Sequence, residues 1–404
     1  MDNLKILNST YMVYAYFLVI FVVTFFTITS DHKEYGTFRV EEIGAVQKII
    51  NPELYDGKLF NIESVKHNPY FNYAHIVAFI AKKSGYQQNL WELGKVFWLV
   101  EKGLSLVVVI MLCSLIFPGD RITLLIAGTF FVSFIDHEAS QKSMAMPLCL
   151  LAIYYFLKEK WIVSAIFSAS IFYLHIGKGV WWLGTAGIAL VVMFLIQKRI
   201  SLKKVVVFVF ITVVLASPII YYYLLKNSNS SIDEFTIMYF YYAQGWQTSP
   251  LLALTVTPLT FVNLWLTFAI LCLGYISAKK AGYGHGNIIL LVIGAVALYL
   301  VQFIFADIFS SNFVMPMQLT RAFHVVLIFG NFFMAFLLAC HIRKGNYIFV
   351  LIFLFMYLTH HSYKSFFLSF ILLIFYEILE EPVKGLAERI FCRVKIDLEN
   401  LRKR

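Results

Sequence analysis

The stretch YMVYAYFLVIFVVTFFTIT, residues 11–29, contains no charged side chain, and runs of its kind recur along the chain. About 18 apolar residues in a helix span the roughly 30 Å hydrocarbon core of a bilayer. Inside that core no water is at hand for backbone N–H and C=O groups. Each span must therefore satisfy its own, which a helix does. Composition points the same way: 60% of the 404 residues are hydrophobic and 14% are charged, with a mean hydropathy of +0.76. A soluble domain carries about a quarter charged residues. The fold class read from this is all-α, a polytopic integral membrane protein with about twelve transmembrane helices.

The spans fall at 11–29, 97–117, 122–135, 143–157, 161–175, 180–197, 204–225, 251–277, 287–308, 323–341, 347–359 and 363–379. The first is too long for the apolar core of a signal peptide and no A-x-A site follows it, so it reads as an uncleaved span. Lysine and arginine collect in short cytoplasmic loops. Here QKRISLKK (197–204), SAKKAGYG (277–284), HIRKGN (341–346), LKEK (157–160) and PGDR (118–121) all land on one face when the spans alternate. Both termini fall on that face, and the expected location is the plasma (inner) membrane. Residues 1–380 form one transmembrane domain, and 381–404 a cytoplasmic basic amphipathic tail.

The net charge of +10 belongs to this topology and does not signal nucleic-acid binding. Four of the five cysteines lie inside apolar runs, so a disulfide framework is not expected. No phosphate-binding glycine loop, zinc spacing or G-x-S-x-G motif is present.

The opposite face receives residues 30–96. Ile43, Val46, Ile49 and Ile50 sit at helical spacing and predict a short amphipathic helix over 40–50. Residues 69–84 predict an interfacial helix on the outer leaflet; the competing reading is an extra span that would invert part of the topology. Ionisable residues concentrate at the outer span ends: Asp31, His32 and Glu34 after the first span, Asp136, His137 and Glu138 after the third, His175 and Lys178 after the fifth. Asp307 ends the ninth span, and Gln318, Arg321 and His324 open the tenth. Charged residues at span ends are commonly headgroup anchors. Asp307 and His324, however, lie within apolar stretches, where ionisable groups are costly and usually functional.

As a set these residues suit an anionic substrate. Asp31 has the chemistry of a general base. Asp136 and Glu138 have that of ligands sharing a hard cation, Mg²⁺ or Mn²⁺, with Asp31; a metal-free site is equally compatible. Arg321 offers a planar fork for two phosphate oxygens, and His175, Lys178 and His324 have the chemistry to assist it. The aromatic run YFYYAQGW (239–246) reads as an interfacial belt.

The pattern resembles the GT-C superfamily of membrane glycosyltransferases. These have many spans, a long first outer loop with an interfacial helix, and an acidic residue after the first span, which Asp31 matches. Several carry a D-x-D or D-x-E motif after the third span, which Asp136-His137-Glu138 matches. The first motif here is D-H-K-E, and no W-W-D-Y-G signature follows. The resemblance implies a polyprenyl-phosphate-linked sugar donor, a glycan or lipid acceptor, and transfer on the outer face among membrane lipids. Asp31, Asp136 and Glu138 would be catalytic. His32, Glu34, His137, His175, Lys178, Gln318, Arg321 and His324 would bind substrate. Two rival readings share the topology: a cell-surface polysaccharide polymerase, and a transporter or lipid flippase. The last needs polar groups near the midplane and two related halves. Glu101 and Lys102, near the expected outer end of the second span, give it little support.

Overall fold

The computed structural model describes residues 40–53, 72–133, 141–228, 250, 258–283, 286–309, 311, 314, 317–346 and 349–352. Every regular element among them is helical. Five described helical stretches are long and apolar enough to cross a membrane: Leu90–Ile116, Ile176–Leu195, Leu202–Tyr221, Gly286–Ile308 and Leu319–Arg343. Arg121–Phe131, Ser143–Leu157 and Trp161–Leu174 are shorter apolar helices. The expected spans 11–29 and 363–379, and most of 347–359, lie outside the described residues.

Two short helices, α1 (Val40–Ile50) and α2 (Asn72–Ser84), precede the first long one, α3 (Leu90–Ile116). In α2, Tyr73, Ala74, Val77, Ala78 and Ala81 form one apolar stripe. That stripe packs on Ile43 and Val46 of α1 and on Leu90, Leu93, Phe97 and Trp98 of α3. The ring of Tyr73 meets Phe97 edge-on at 6.3 Å. The two helices thus form a cap on the first turns of α3, while Ile76 and Phe79 on the other face of α2 stay exposed.

The main bundle continues with α4 (Arg121–Ser133), α5 (Gln141–Leu157), α6 (Trp161–Leu174), α7 (Ile176–Leu195), α8 (Leu202–Ser228), α9 (Pro258–Lys280), α10 (Gly286–Gln302) and α11 (His324–Arg343). Their facing sides share one continuous apolar core. Two close approaches fix it. A Cβ on Gly294 of α10 would lie 2.4 Å from the carbonyl oxygen of Thr185 in α7. A Cβ on Gly330 of α11 would lie 2.4 Å from Thr267 Cγ2 in α9. In lipid, where apolar contact alone drives helices together weakly, such small-residue seams supply packing.

Hydroxyls add to it. Ser164 donates to the Ala152 carbonyl at 2.9 Å, and the Trp182 indole N–H donates to Ser168 Oγ at 2.7 Å. These bonds tie α5, α6 and α7. Pro218 inside α8 leaves the Val214 carbonyl without its helical donor. Ser217 Oγ donates to that oxygen at 2.8 Å, and Tyr173 from α6 donates to the neighbouring Leu215 carbonyl at 2.8 Å.

The basic loops meet at one end of the bundle. Arg199 pairs with Glu159 at 3.2 Å and donates to Asn287 at 3.1 Å. Arg343 pairs with Asp120, which also accepts from the backbone and hydroxyl of Thr123. Phe117 lies flat on Phe336 at 5.0 Å and edge-on to Tyr283. The alternation read from lysine and arginine therefore has a structural counterpart among the described helices.

Some boundaries differ from expectation. The second span begins at Leu90, not 97, because Trp91, Glu92 and Lys95 ride on the exposed side of a helix whose other side is buried. Glu101 and Lys102 consequently lie three turns inside α3 rather than near its end. Residues 176–179 are the first turn of α7, not a loop.

Candidate functional site

At the end of the bundle opposite the basic loops, α6 reverses into α7 through one residue. His175 has extended backbone, φ −155° and ψ 100°. It closes α6 and caps α7, its Nδ1 accepting from the Lys178 backbone N–H at 3.0 Å. An accepting Nδ1 places the proton of the neutral ring on Nε2. The reversal aims the positive end of the α7 dipole at this end of the bundle, together with Lys178.

The opposite wall comes from the segment between α10 and α11. The last turn of α10 widens into a π-type turn over Phe303–Ile308, which includes Asp307. Such turns recur at functional sites. Gln302, fully buried, accepts from the Leu319 backbone N–H at 2.9 Å through Oε1. Gln318 takes a left-handed conformation, φ 52° and ψ 46°, unusual for a residue with a Cβ. A tight turn, Leu319–Phe323, follows, with all five residues buried. Phe323 is boxed by Trp265 and Tyr299 at 5.5 and 5.3 Å.

This turn delivers Arg321, 8% exposed, into the bundle. A Cβ on Gly177 would lie 3.1 Å from His175 Cε1 and 3.9 Å from Arg321 Nη1, so the guanidinium and the imidazole flank that glycine. His324 sits one turn on. Its Nδ1 is 2.6 Å from the Arg321 carbonyl. A carbonyl only accepts, so Nδ1 carries a proton there, the reverse of His175. The His324 ring stacks on Trp181 of α7 at 6.0 Å and 16°. Lys178 lies close enough to Cys149 of α5 for the two to interact electrostatically.

Five predicted residues, His175, Lys178, Gln318, Arg321 and His324, are thus brought to one end. Gln318 serves as the strained entry to the turn. Asp31, His32, Glu34, Asp136, His137 and Glu138 lie outside the described residues, and with them the expected metal ligands. Among the described residues no group of three His, Cys, Asp or Glu side chains could hold a metal ion. The carboxylates expected to take Mg²⁺ or Mn²⁺, Asp31, Asp136 and Glu138, are among those outside the described residues.

Sequence reasoning passed over Gln302 and Trp181, which look like ordinary span residues. It also set aside Glu101 and Lys102. Both are buried, at 1% and 8% exposure, with Lys102 Nζ 3.1 Å from Glu101 Oε2 and 5.3 Å above the Trp98 ring. What the main cluster offers chemically is a set of groups suited to an anion: a guanidinium, an ammonium, two imidazoles and a helix N-terminus. Low local dielectric strengthens each for an anion.

Compared with family models, with curated proteins and with solved structures, the chain matches none.

Proposed function

We propose that this chain is a membrane glycosyltransferase that moves a sugar from a polyprenyl-phosphate carrier to a glycan or lipid acceptor on the outer side of the membrane. The observation that carries the reading is the buried Arg321 beside His175 at the α7 N-terminus. A guanidinium offers two parallel N–H donors to the oxygens of a phosphate, and the neighbouring His175 ring, Lys178 and the α7 N-terminus favour the same charge. A phosphate that stays with a lipid tail is an anion that reaches such a place.

In this reading the acceptor oxygen attacks the sugar C1 while its proton passes to Asp31. The bond between C1 and the phosphate oxygen breaks, and the electron pair leaves with the prenyl phosphate. Arg321 and the His175 Nε2–H hold the oxygens on which charge accumulates, the term that dominates such catalysis. Lys178 raises the local positive potential. His324, oriented by its bond to the Arg321 carbonyl and by Trp181, fixes the position of that guanidinium. Asp136 and Glu138 complete the carboxylate side.

The test uses the purified full chain in nanodiscs with a panel of radiolabelled prenyl-phosphate hexoses and membrane-lipid extract as acceptor. Wild type is expected to deplete one donor, and Arg321→Met, Asp31→Asn and Asp136→Asn each to lower turnover at least 100-fold, a typical loss for one electrostatic or acid–base group. Unchanged transfer in Asp31→Asn and Asp136→Asn would remove the assignment of those acids. A wild type that neither binds nor consumes any prenyl phosphate would remove the function.

A further inference from the structure

The segment that joins α10 to α11 reaches the candidate site through one unusual residue. Among the described residues that carry a Cβ, Glu159, Lys198 and Gln318 take positive φ, at 56°, 51° and 52°. Glu159 and Lys198 are exposed and stand just past the ends of α5 and α7, where helices commonly close in this conformation. Gln318 does the opposite. It precedes its helical turn and is 9% exposed. A left-handed residue that closes no helix persists only where its surroundings hold it there.

What holds it is α10. Leu319 opens the turn, and the N–H of a first helical residue has no acceptor within its own helix. Gln302, fully buried, supplies the acceptor through Oε1 at 2.9 Å. Tyr299, on the same face of α10, meets Phe323 edge-on at 5.3 Å. One face of α10 thus grips both ends of the Leu319–Phe323 turn, by a hydrogen bond at its start and an aromatic contact at its end. Arg321 lies midway between the grips. Its backbone N–H donates to the Gln318 carbonyl at 3.0 Å, so the conformation of Gln318 passes directly to Arg321.

The gripping residue has a fixed seat of its own. The regular α-helical part of α10 runs as far as Gln302, and the wider turn begins only at Phe303. Gly294, earlier on α10, lies against the Thr185 backbone of α7. The helix that holds the Arg321 turn is therefore set against the helix that carries Lys178 and is capped by His175.

We propose that Gln302 is a positioning residue for Arg321: its bond to the Leu319 N–H sustains the left-handed Gln318 and so sets the turn that brings the guanidinium beside His175. The choice of ligand in the test rests on the function proposed above. Gln302 acts through Arg321, and no bond is made or broken on it.

Amide hydrogen exchange, read by mass spectrometry on the peptide covering Leu319–His324, reports the turn in the full chain in nanodiscs without any ligand. Gln302→Met keeps the side-chain length and removes the acceptor. It is expected to speed exchange of that peptide about tenfold, the scale of a buried donor left without its acceptor. Affinity for a short-chain prenyl phosphate, read from the ligand-induced shift in melting temperature, should fall by about the same factor. Adding Gln318→Gly to Gln302→Met removes the backbone strain and should restore most of the protection, a rescue that a mere packing role for Gln302 does not give. Asp120→Ala, at the opposite end of the bundle, should leave both readouts as in wild type at a temperature where it is folded. Unchanged exchange in Gln302→Met, no rescue by Gln318→Gly, or equal effects from Asp120→Ala overturns the positioning role and leaves the phosphate reading standing. A wild type that binds no prenyl phosphate overturns that reading, and the exchange data then decide the positioning alone. Should Gln302→Met not fold, the double variant decides: a folded double with a protected turn supports the role, and a double that also fails to fold overturns it.

Discussion

Placing a single methyl group on Gly294 tests whether the α7–α10 seam sets the geometry of the candidate site. A Cβ there would lie 2.4 Å from the Thr185 carbonyl oxygen, 3.1 Å from its carbon and 3.2 Å from its Cα. All three are backbone atoms, so no side-chain rotation relieves them. Ordinary contact begins near 3.4 Å, and Gly294→Ala must part the helices by about 1 Å. Overpacking of this kind costs about 1–3 kcal/mol. Ala is the better helix former by roughly 1 kcal/mol, which offsets part of that. Gly187 on α7 supplies the control: a Cβ there meets nothing within 4 Å, so Gly187→Ala keeps the propensity gain without the clash. Thermal unfolding in nanodiscs, followed by the soluble fraction after heating, should show Gly294→Ala melting several degrees lower and Gly187→Ala unchanged or higher. The displacement should also reach the site. Gln302 lies two turns along α10 from Gly294 and holds the Leu319 N–H, so Arg321 moves with α10. Prenyl phosphate binding should weaken in Gly294→Ala at a temperature where both proteins are folded. Identical melting of the two alanine variants would refute the seam.

Other substitutions separate fold from site. His175→Ala removes the α7 cap and should cost about 1 kcal/mol. His175→Asn restores an accepting side chain and should recover the melting temperature but not prenyl phosphate binding. Both recovering together would leave His175 purely structural. At the basic end, Asp120→Ala strands Arg343 and removes both bonds to Thr123. It should lower stability by about 2 kcal/mol or more. Arg343→Met leaves the Thr123 bonds in place and should cost less. A larger loss in Arg343→Met, measured in the same melting assay, would show that the ion pair outweighs the cap.

Hydropathy located most described helices, because a span advertises itself by length alone. What it cannot show is which side of a helix is buried. Leu90 to Val96 carries Trp91, Glu92 and Lys95, and so reads as loop. In the structure those residues face out while Leu90, Leu93 and Phe97 hold the α1–α2 cap. Residues 176–179 read as loop for a similar reason: two glycines and a lysine look like a turn, yet they form a helix start that needs no Cβ beside His175. The cluster of Arg321, His175, Lys178 and His324 was legible as a set of ionisable residues at span ends. Its supports were not. Gln302 and Trp181 are ordinary letters inside apolar runs, and their roles arise from contacts with Leu319 and His324, which are distant in the chain. Glu101 and Lys102 were visible, but their depth along α3 depends on that helix beginning at Leu90.

The reversal at His175 fixes more than direction. With no loop between α6 and α7, nothing absorbs a change in chain length. One inserted residue would turn α7 by about 100° about its axis. Trp181 would leave His324, Gly177 would leave Arg321, and Thr185 would leave Gly294, all at once. A longer connection would let each of these contacts vary separately. Here they share one phase, so the angular setting of a single helix governs the core seam and the candidate site together.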